Sequence, residues 1–216
     1  MNTPPALARR GLYALTPDSL AASPQLVAQV LAAIAGGAAL VQYRDKTARA
    51  GLRESRARAL VQACHPRGVP LIVNDDVGLA AQVGAAGVHL GRDDGDLATA
   101  RALLGPARII GVSCYDSIAL ARAAVAAGAD YVAFGSCYAS ATKPKAVRCP
   151  LDVLRQAHLE LAVPIVAIGG ITAENAQPLL AAGAHFLAVM GALFDSPDTT
   201  AAARAFVVPL ASTSPE

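Results

Sequence analysis

One phrase recurs four times and limits what this chain can fold into. Ala35-Gly36-Gly37-Ala38-Ala39-Leu40-Val41, Val83-Gly84-Ala85-Ala86-Gly87-Val88, Ala127-Gly128-Ala129-Asp130-Tyr131-Val132 and Ala182-Gly183-Ala184-His185-Phe186-Leu187 each set a glycine just before a short apolar run. A glycine in that place ends a helix, and the apolar run after it reads as a strand. The copies lie roughly 45 to 55 residues apart, two strand–helix units each. Four double units make eight, so the pattern predicts an α/β, single-domain (β/α)8 TIM barrel. The rival is a doubly wound open sheet, but no Gly-x-Gly-x-x-Gly fingerprint follows the first strand.

The expected strands are 12–15, 38–43, 69–73, 88–90, 108–112, 130–134, 163–168 and 185–190. The expected helices are 24–35, 50–64, 77–83, 97–104, 117–127, 151–158, 173–181 and 199–207, the first capped by Ser23 with Pro24 in its opening turn. The barrel therefore fills 12–207, between a loose N-terminal segment, 1–11, and a loose tail, 208–216.

A net charge of +2 is too small to make nucleic acid or an anionic membrane the main partner. The apolar runs are short and broken by Gly, Pro or charge, so none spans a bilayer, and residues 1–10 lack the apolar core of a secretory signal. Cys64, Cys114, Cys137 and Cys149 show neither Cys-x-x-Cys spacing nor paired histidines, which fits free thiols in a reducing cytoplasm. Nothing in the sequence decides whether the chain forms a homo-oligomer.

In such a barrel the chemistry sits at the carboxyl ends of the strands. Acidic pairs follow two neighbouring strands there, Asp75/Asp76 and Asp93/Asp94, so that two carboxylates can share one hard cation such as Mg²⁺. The same residues also suit helix caps, and the sequence leaves both readings open. Gly169-Gly170-Ile171-Thr172 after strand seven and Met190-Gly191-Ala192 after strand eight are placed as a phosphate cup, the first with a helix expected behind it. Ser140-Ala141-Thr142-Lys143-Pro144-Lys145 carries two hydroxyls and two ammonium groups, either an oxyanion clamp or a solvated loop. Gln42 suits the edge of a heterocycle and Lys46 a second anion, or both are plain loop residues. His89 lies inside an apolar strand and reads as packed core; no Ser/His/Asp or Cys/His set is visible, which disfavours a nucleophilic hydrolase. One cation, one phosphate cup and an amide/lysine set suit the joining of a diphosphate donor to a phosphorylated acceptor, Mg²⁺ and two carboxylates steadying the departing pyrophosphate.

The ordered motifs resemble the thiamine-phosphate synthase family. They are Gln42-Tyr43-Arg44-Asp45-Lys46, Val73-Asn74-Asp75, Gly87-Val88-His89-Leu90-Gly91-Arg92-Asp93-Asp94, Gly111-Val112-Ser113, Gly128-Ala129-Asp130-Tyr131-Val132, Thr142-Lys143 and Gly169-Gly170-Ile171. The resemblance implies a transferase with small-molecule substrates, joining a hydroxymethylpyrimidine diphosphate to a thiazole phosphate with Mg²⁺ and releasing pyrophosphate. It implies Asp75 and Asp94 as metal ligands. Gln42, Arg44, Lys46, Asn74, Ser113 and Lys143 would hold the pyrimidine and its diphosphate, Ser113 and Lys143 acting at the reacting centre. Ser140, Thr142, Gly170, Met190 and Gly191 would hold the thiazole phosphate. The implied reaction ionises the pyrimidine diphosphate before the thiazole nitrogen captures the cation, so it needs no general base.

The chain departs from the family pattern at Arg92-Asp93, Gly135-Ser136, Ser140 and Gly191. Asp93 thereby competes with Asp94 as a ligand, and at Gly191 only a backbone N–H remains. Two other readings stay open at this point: a thiazole tautomerase, which has a histidine where Ser113 stands, and a non-catalytic phosphate-binding barrel.

Overall fold

The structure is a computed structural model that describes residues 7, 10–21, 23–91, 95–139 and 147–211. Its strands are β1 (Gly11–Leu15), β2 (Ala38–Tyr43), β3 (Leu71–Asn74), β4 (Gly87–Leu90), β5 (Ile109–Tyr115), β6 (Tyr131–Phe134), β7 (Ile165–Ile168) and β8 (Phe186–Val189). All pair in parallel in sequence order, and β1 pairs with β8 to close the barrel. The helices are α1 (Asp18–Ala21), α2 (Leu26–Ala35), α3 (Ala50–Cys64), α4 (Val77–Val83), α5 (Leu97–Leu104), α6 (Ile118–Ala126), α7 (Leu151–Glu160), α8 (Gln177–Ala181), α9 (Gly191–Phe194) and α10 (Thr199–Ala211).

The recurring phrase does what its composition requires. Gly37, Gly84, Gly128 and Gly183 all have positive φ, between 69° and 108°. At Gly84 the left-handed turn lets its N–H reach back to the carbonyls of Ala80 and Ala81, closing α4 and delivering the chain to β4. An L side chain resists that backbone, which is why the phrase keeps its glycine.

Two apolar layers follow from the alternation along each strand. Leu15, Leu40, Ile72, Ile109, Val166 and Phe186 belong to the inner layer that fills the barrel, while Leu12, Val41, Val73, Val88 and Ile110 pack outward under the helices. Leu7, expected in a loose segment, is 2 % exposed and joins the inner layer. At the other end α10 runs to Ala211, past the boundary expected at Val207.

Two helix starts differ from expectation. α2 begins at Leu26, and Ser23 instead closes a turn by accepting the Gln25 N–H at 3.1 Å. α8 begins only at Gln177, with Pro178 in its first turn. Before it, Asn175 accepts the Thr172 N–H at 2.9 Å and donates to the Gly170 carbonyl at 3.0 Å, holding 170–175 as a loop.

Two titratable groups, the buried Asp45 and the half-buried His185, give the fold an acid-sensitive stability. Burial pushes the His185 imidazole down to about 4, and Arg10 and His158 add to this. Burial opposes ionisation of Asp45, but N–H bonds from Ala48 and Thr47, then Arg56 at 2.8 Å and the Tyr43 hydroxyl at 3.0 Å, lower it to about 2. Both folded values lie below the ordinary ones, 6.5 and 3.8, so each contribution is complete above the ordinary value and lost as pH falls toward the folded one. Stability is therefore expected to fall in two steps, from pH 6.5 to 4 and from 3.8 to 2. The lower step is worth about 2 kcal/mol. Urea titrations across pH check this: Asp45→Asn removes the lower step and leaves the upper one.

Candidate active site

Strand parity carries the site upward from the apolar filling. Gln42 lies two residues above Leu40, Asn74 two above Ile72, and Met190 two above Ala188, so all continue inward-facing rows to the barrel mouth. Ser113 tops the row of Ile109 and Gly111 in the same way.

The acidic pair after β3 divides its labour. Asp76 is the N-cap of α4: its Oδ1 accepts the Leu79 N–H at 2.8 Å, and its Oδ2 meets Arg53 at 2.7 Å. Asp75 caps nothing. Its N–H extends the sheet to the His89 carbonyl at 2.8 Å, and the backbone then turns left-handed, φ 66°, so its carboxylate faces Lys46 Nζ at 3.1 Å. Positive φ is rare outside glycine, but Asp tolerates it.

The cations after β2 are likewise anchored. Arg44 Nη1 meets Asp18 Oδ2 at 2.7 Å, and the Lys46 N–H donates to Asp18 Oδ1 at 2.9 Å. Asp18, not among the residues the sequence singles out, therefore positions both. The Asn74 side chain is partly exposed at the mouth. Gly170 has φ 64°, and a Cβ there would lie 2.2 Å from the Ala139 carbonyl oxygen. At Gly191 a Cβ would lie 2.8 Å from Asp195 Oδ2, so the backbone approaches its neighbours closely at both glycines. Since α8 starts late, the donors after strand seven are loop amides rather than the helix N-terminus expected there.

The structure thus brings Gln42, Arg44, Lys46, Asn74, Asp75, Ser113, Gly170, Met190 and Gly191 to the strand ends of one barrel. Asp94, Ser140, Thr142 and Lys143 lie outside the described residues, as do Arg92 and Asp93. Among the described residues no three His, Cys, Asp or Glu side chains gather as a metal site.

Below the mouth the sequence reading missed a chain of polar groups. Gln42 Nε2 bonds the Tyr13 hydroxyl at 3.0 Å, and Tyr13 bonds the Tyr131 hydroxyl at 2.9 Å. Tyr131 bonds His89 Nδ1 at 2.9 Å, and His89 Nε2 bonds Ser113 Oγ at 2.8 Å. His89 is buried as expected, but as a hydrogen-bonded link and not as apolar packing. The signal was present: Tyr13, Gln42, His89, Tyr131 and Ser113 all occupy inward positions of a barrel too narrow to leave their polar atoms apart.

The family comparison now decides what this barrel is. A sequence model described as thiamine monophosphate synthase matches residues 12–193, which include every candidate site residue. The chain belongs to the thiamine monophosphate synthase family. Within it, the chain is 56 % identical over 196 residues to the thiamine-phosphate synthase of Thiobacillus denitrificans, covering 89 % of this chain and 91 % of that one. It is 54 % identical over 197 residues to the thiamine-phosphate synthase of Aromatoleum aromaticum, covering 91 % and 94 %. The solved thiamine phosphate pyrophosphorylase from Pyrococcus furiosus superposes with a TM-score of 0.87 at 31 % identity, over 98 % of this chain and 99 % of that one. Like these synthases, the chain is a transferase with a closed eight-stranded barrel. No helix among the described residues is long and apolar enough to cross a membrane.

Proposed function

We propose that the chain transfers the hydroxymethylpyrimidine group of 4-amino-2-methyl-5-(diphosphooxymethyl)pyrimidine to the ring nitrogen of a thiazole phosphate, with Mg²⁺, giving thiamine phosphate and pyrophosphate. The observation that carries this reading is the separation of Asp75 from Asp76. One carboxylate caps a helix, and its neighbour stands at the mouth beside a lysine with no structural duty of its own.

The residues fit a magnesium ion. Mg²⁺ uses one or two carboxylates, its own waters and substrate phosphates rather than a full protein cage. Asp75, with Asp94, would hold it, and when bound it would offset the charge that grows on the leaving diphosphate. The chain's own groups do the rest. Lys46, Arg44, Asn74 and Lys143 meet diphosphate oxygens, and Ser113 donates a hydrogen bond to the same group. The Gln42 amide meets the pyrimidine edge. Ser140, Thr142 and the backbone at Gly170, Met190 and Gly191 hold the thiazole phosphate in line.

In the reaction the pyrimidine methylene C–O bond breaks and its electron pair leaves with pyrophosphate. The thiazole nitrogen lone pair then forms the C–N bond. No proton has to be removed, so a mouth without a general base suffices. The four buried free thiols support a reducing cytoplasm as its place of work.

A pyrophosphate-release assay with both substrates, with and without Mg²⁺, tests the reading. Release that needs both substrates and the metal is expected; none under any condition would return the chain to a tautomerase or a binding barrel. Lys143→Ala is expected to lower kcat/KM for the pyrimidine diphosphate by about tenfold to a hundredfold, the worth of one charged contact. An unchanged value would remove Lys143 from the site.

A further inference from the structure

The five-member chain beneath the mouth has a direction, and the direction follows from counting hydrogens. Burial raises both the Tyr13 and Tyr131 hydroxyls far above the ordinary phenol range, so each keeps its one hydrogen. Tyr13 receives a hydrogen from the Gln42 amide nitrogen and must give its own to Tyr131. Tyr131 must then give its hydrogen to His89 Nδ1. A ring nitrogen that accepts carries no hydrogen, so the imidazole is neutral with its hydrogen on Nε2, and Nε2 donates to Ser113 Oγ. The Ser113 hydroxyl hydrogen is left over.

We infer that Tyr13, Tyr131 and His89 are positioning residues that lock Ser113 as a hydrogen-bond donor toward the barrel mouth while the same ordering leaves Gln42 Oε1 as an acceptor at the other end. Among the described residues nothing donates to Gln42 Oε1, and the atom is not sealed from solvent. The two ends are coupled: turning the amide over reverses every bond between them. In the sense inferred, the mouth offers an acceptor at Gln42 and a donor at Ser113. An aminopyrimidine diphosphate asks for that combination, an acceptor for its amino hydrogens and a donor for its phosphate oxygens. The reversed sense mismatches both ends. This consequence for substrate rests on the proposed function; the direction of the chain does not.

The packing shows that the chain is built in. The Tyr131 ring lies near-parallel to His89, with centroids 5.6 Å apart, and edge-on to Tyr13 at 6.1 Å. It occupies space that Gly111 vacates, since a Cβ at Gly111 would lie 1.9 Å from Tyr131 Cζ. A phenylalanine would fill that space equally well, so the hydroxyl itself is what the hydrogen-bond chain uses.

The test is the ¹⁵N spectrum of the imidazoles in the full-length, ligand-free protein, with the His89 signals identified by their loss in His89→Asn. The wild type is expected to show one neutral His89 form with hydrogen on Nε2. The Nδ1–H form, or a doubly protonated ring, at the assay pH would overturn the direction. Tyr131→Phe, and separately Tyr13→Phe, should each admit the Nδ1–H form; both spectra unchanged would overturn the coupling. In kinetics, Tyr131→Phe should lower kcat/KM for the pyrimidine diphosphate by about fivefold to tenfold, with KM for the thiazole phosphate unchanged. In a Ser113→Ala background the same change should cost less than about twofold, because His89 acts through Ser113. Equal losses in both backgrounds would overturn the positioning role. If Ser113→Ala alone costs nothing while the tautomer is as stated, the reading of Ser113 as a diphosphate contact fails and the ordered chain stands.

Discussion

Asp75→Asn is expected to lower pyrophosphate release by at least about a hundredfold at saturating substrates and Mg²⁺, the scale of losing a charge-stabilising contact made mostly in the transition state. The asparagine keeps the shape of the side chain and, like aspartate, tolerates the left-handed backbone at φ 66°. It loses only the charge, so the thermal midpoint should move by no more than about 3 °C, what 1 kcal/mol gives in a chain of this size. Asp75→Ala confounds the two effects, because alanine resists that backbone by about 1–2 kcal/mol. Asp76→Asn is the informative contrast. It keeps a capping side chain for α4 but breaks the charge pair with Arg53, and should cost stability by less than about 1 kcal/mol while leaving turnover within about threefold. Wild-type turnover in Asp75→Asn, or a larger loss in Asp76→Asn than in Asp75→Asn, would sink the assignment of the metal ligand.

The largest effect on stability is expected at Gly111. A methyl group there would sit 1.9 Å from Cζ and 2.3 Å from Cε1 of Tyr131, whose ring is fully buried and held at its hydroxyl by Tyr13 and His89. The ring has no free direction in which to yield. Gly111→Ala should cost about 3 kcal/mol or more, the upper range for overpacking, and lower the midpoint by about 6–12 °C. Tyr131→Ala should cost a comparable amount by leaving a cavity. In the double variant the methyl group no longer clashes, so the Gly111→Ala penalty should largely disappear on the Tyr131→Ala background. Additive losses would show that strain at Gly111 lies elsewhere.

The fold was legible because the sequence repeats its punctuation. A glycine that must be left-handed, followed by an inward-outward apolar run, appears at Gly37, Gly84, Gly128 and Gly183, and each ends one helix and launches one strand. Strand ends then located Gln42, Asn74, Asp75 and Ser113 without further help. Helix starts were read less well, because short polar turns compete with helix for the same residues. Ser23 bonded a turn N–H rather than capping α2, and Asn175 held a loop where a helix was expected. By residue type alone Asp75 and Asp76 could not be told apart, since both are carboxylates before a helix; the backbone turn shows which of them caps it. Tyr13, Tyr131 and His89 were hidden for a different reason. They sit within apolar runs, and the hydrogen bonds that make them polar links join strands far apart in the chain, Tyr13 to Tyr131 across 118 positions.

The ion pairs at the mouth have a consequence for how substrates enter. Arg44 already holds Asp18 and Lys46 already holds Asp75, so neither of these two cations stands unpaired at the mouth. On the proposed function, a magnesium ion held by Asp75 would free the Lys46 ammonium to meet a phosphate oxygen. Lys46 would then leave one partner as another arrives, a coupling that would favour metal and diphosphate together over either alone.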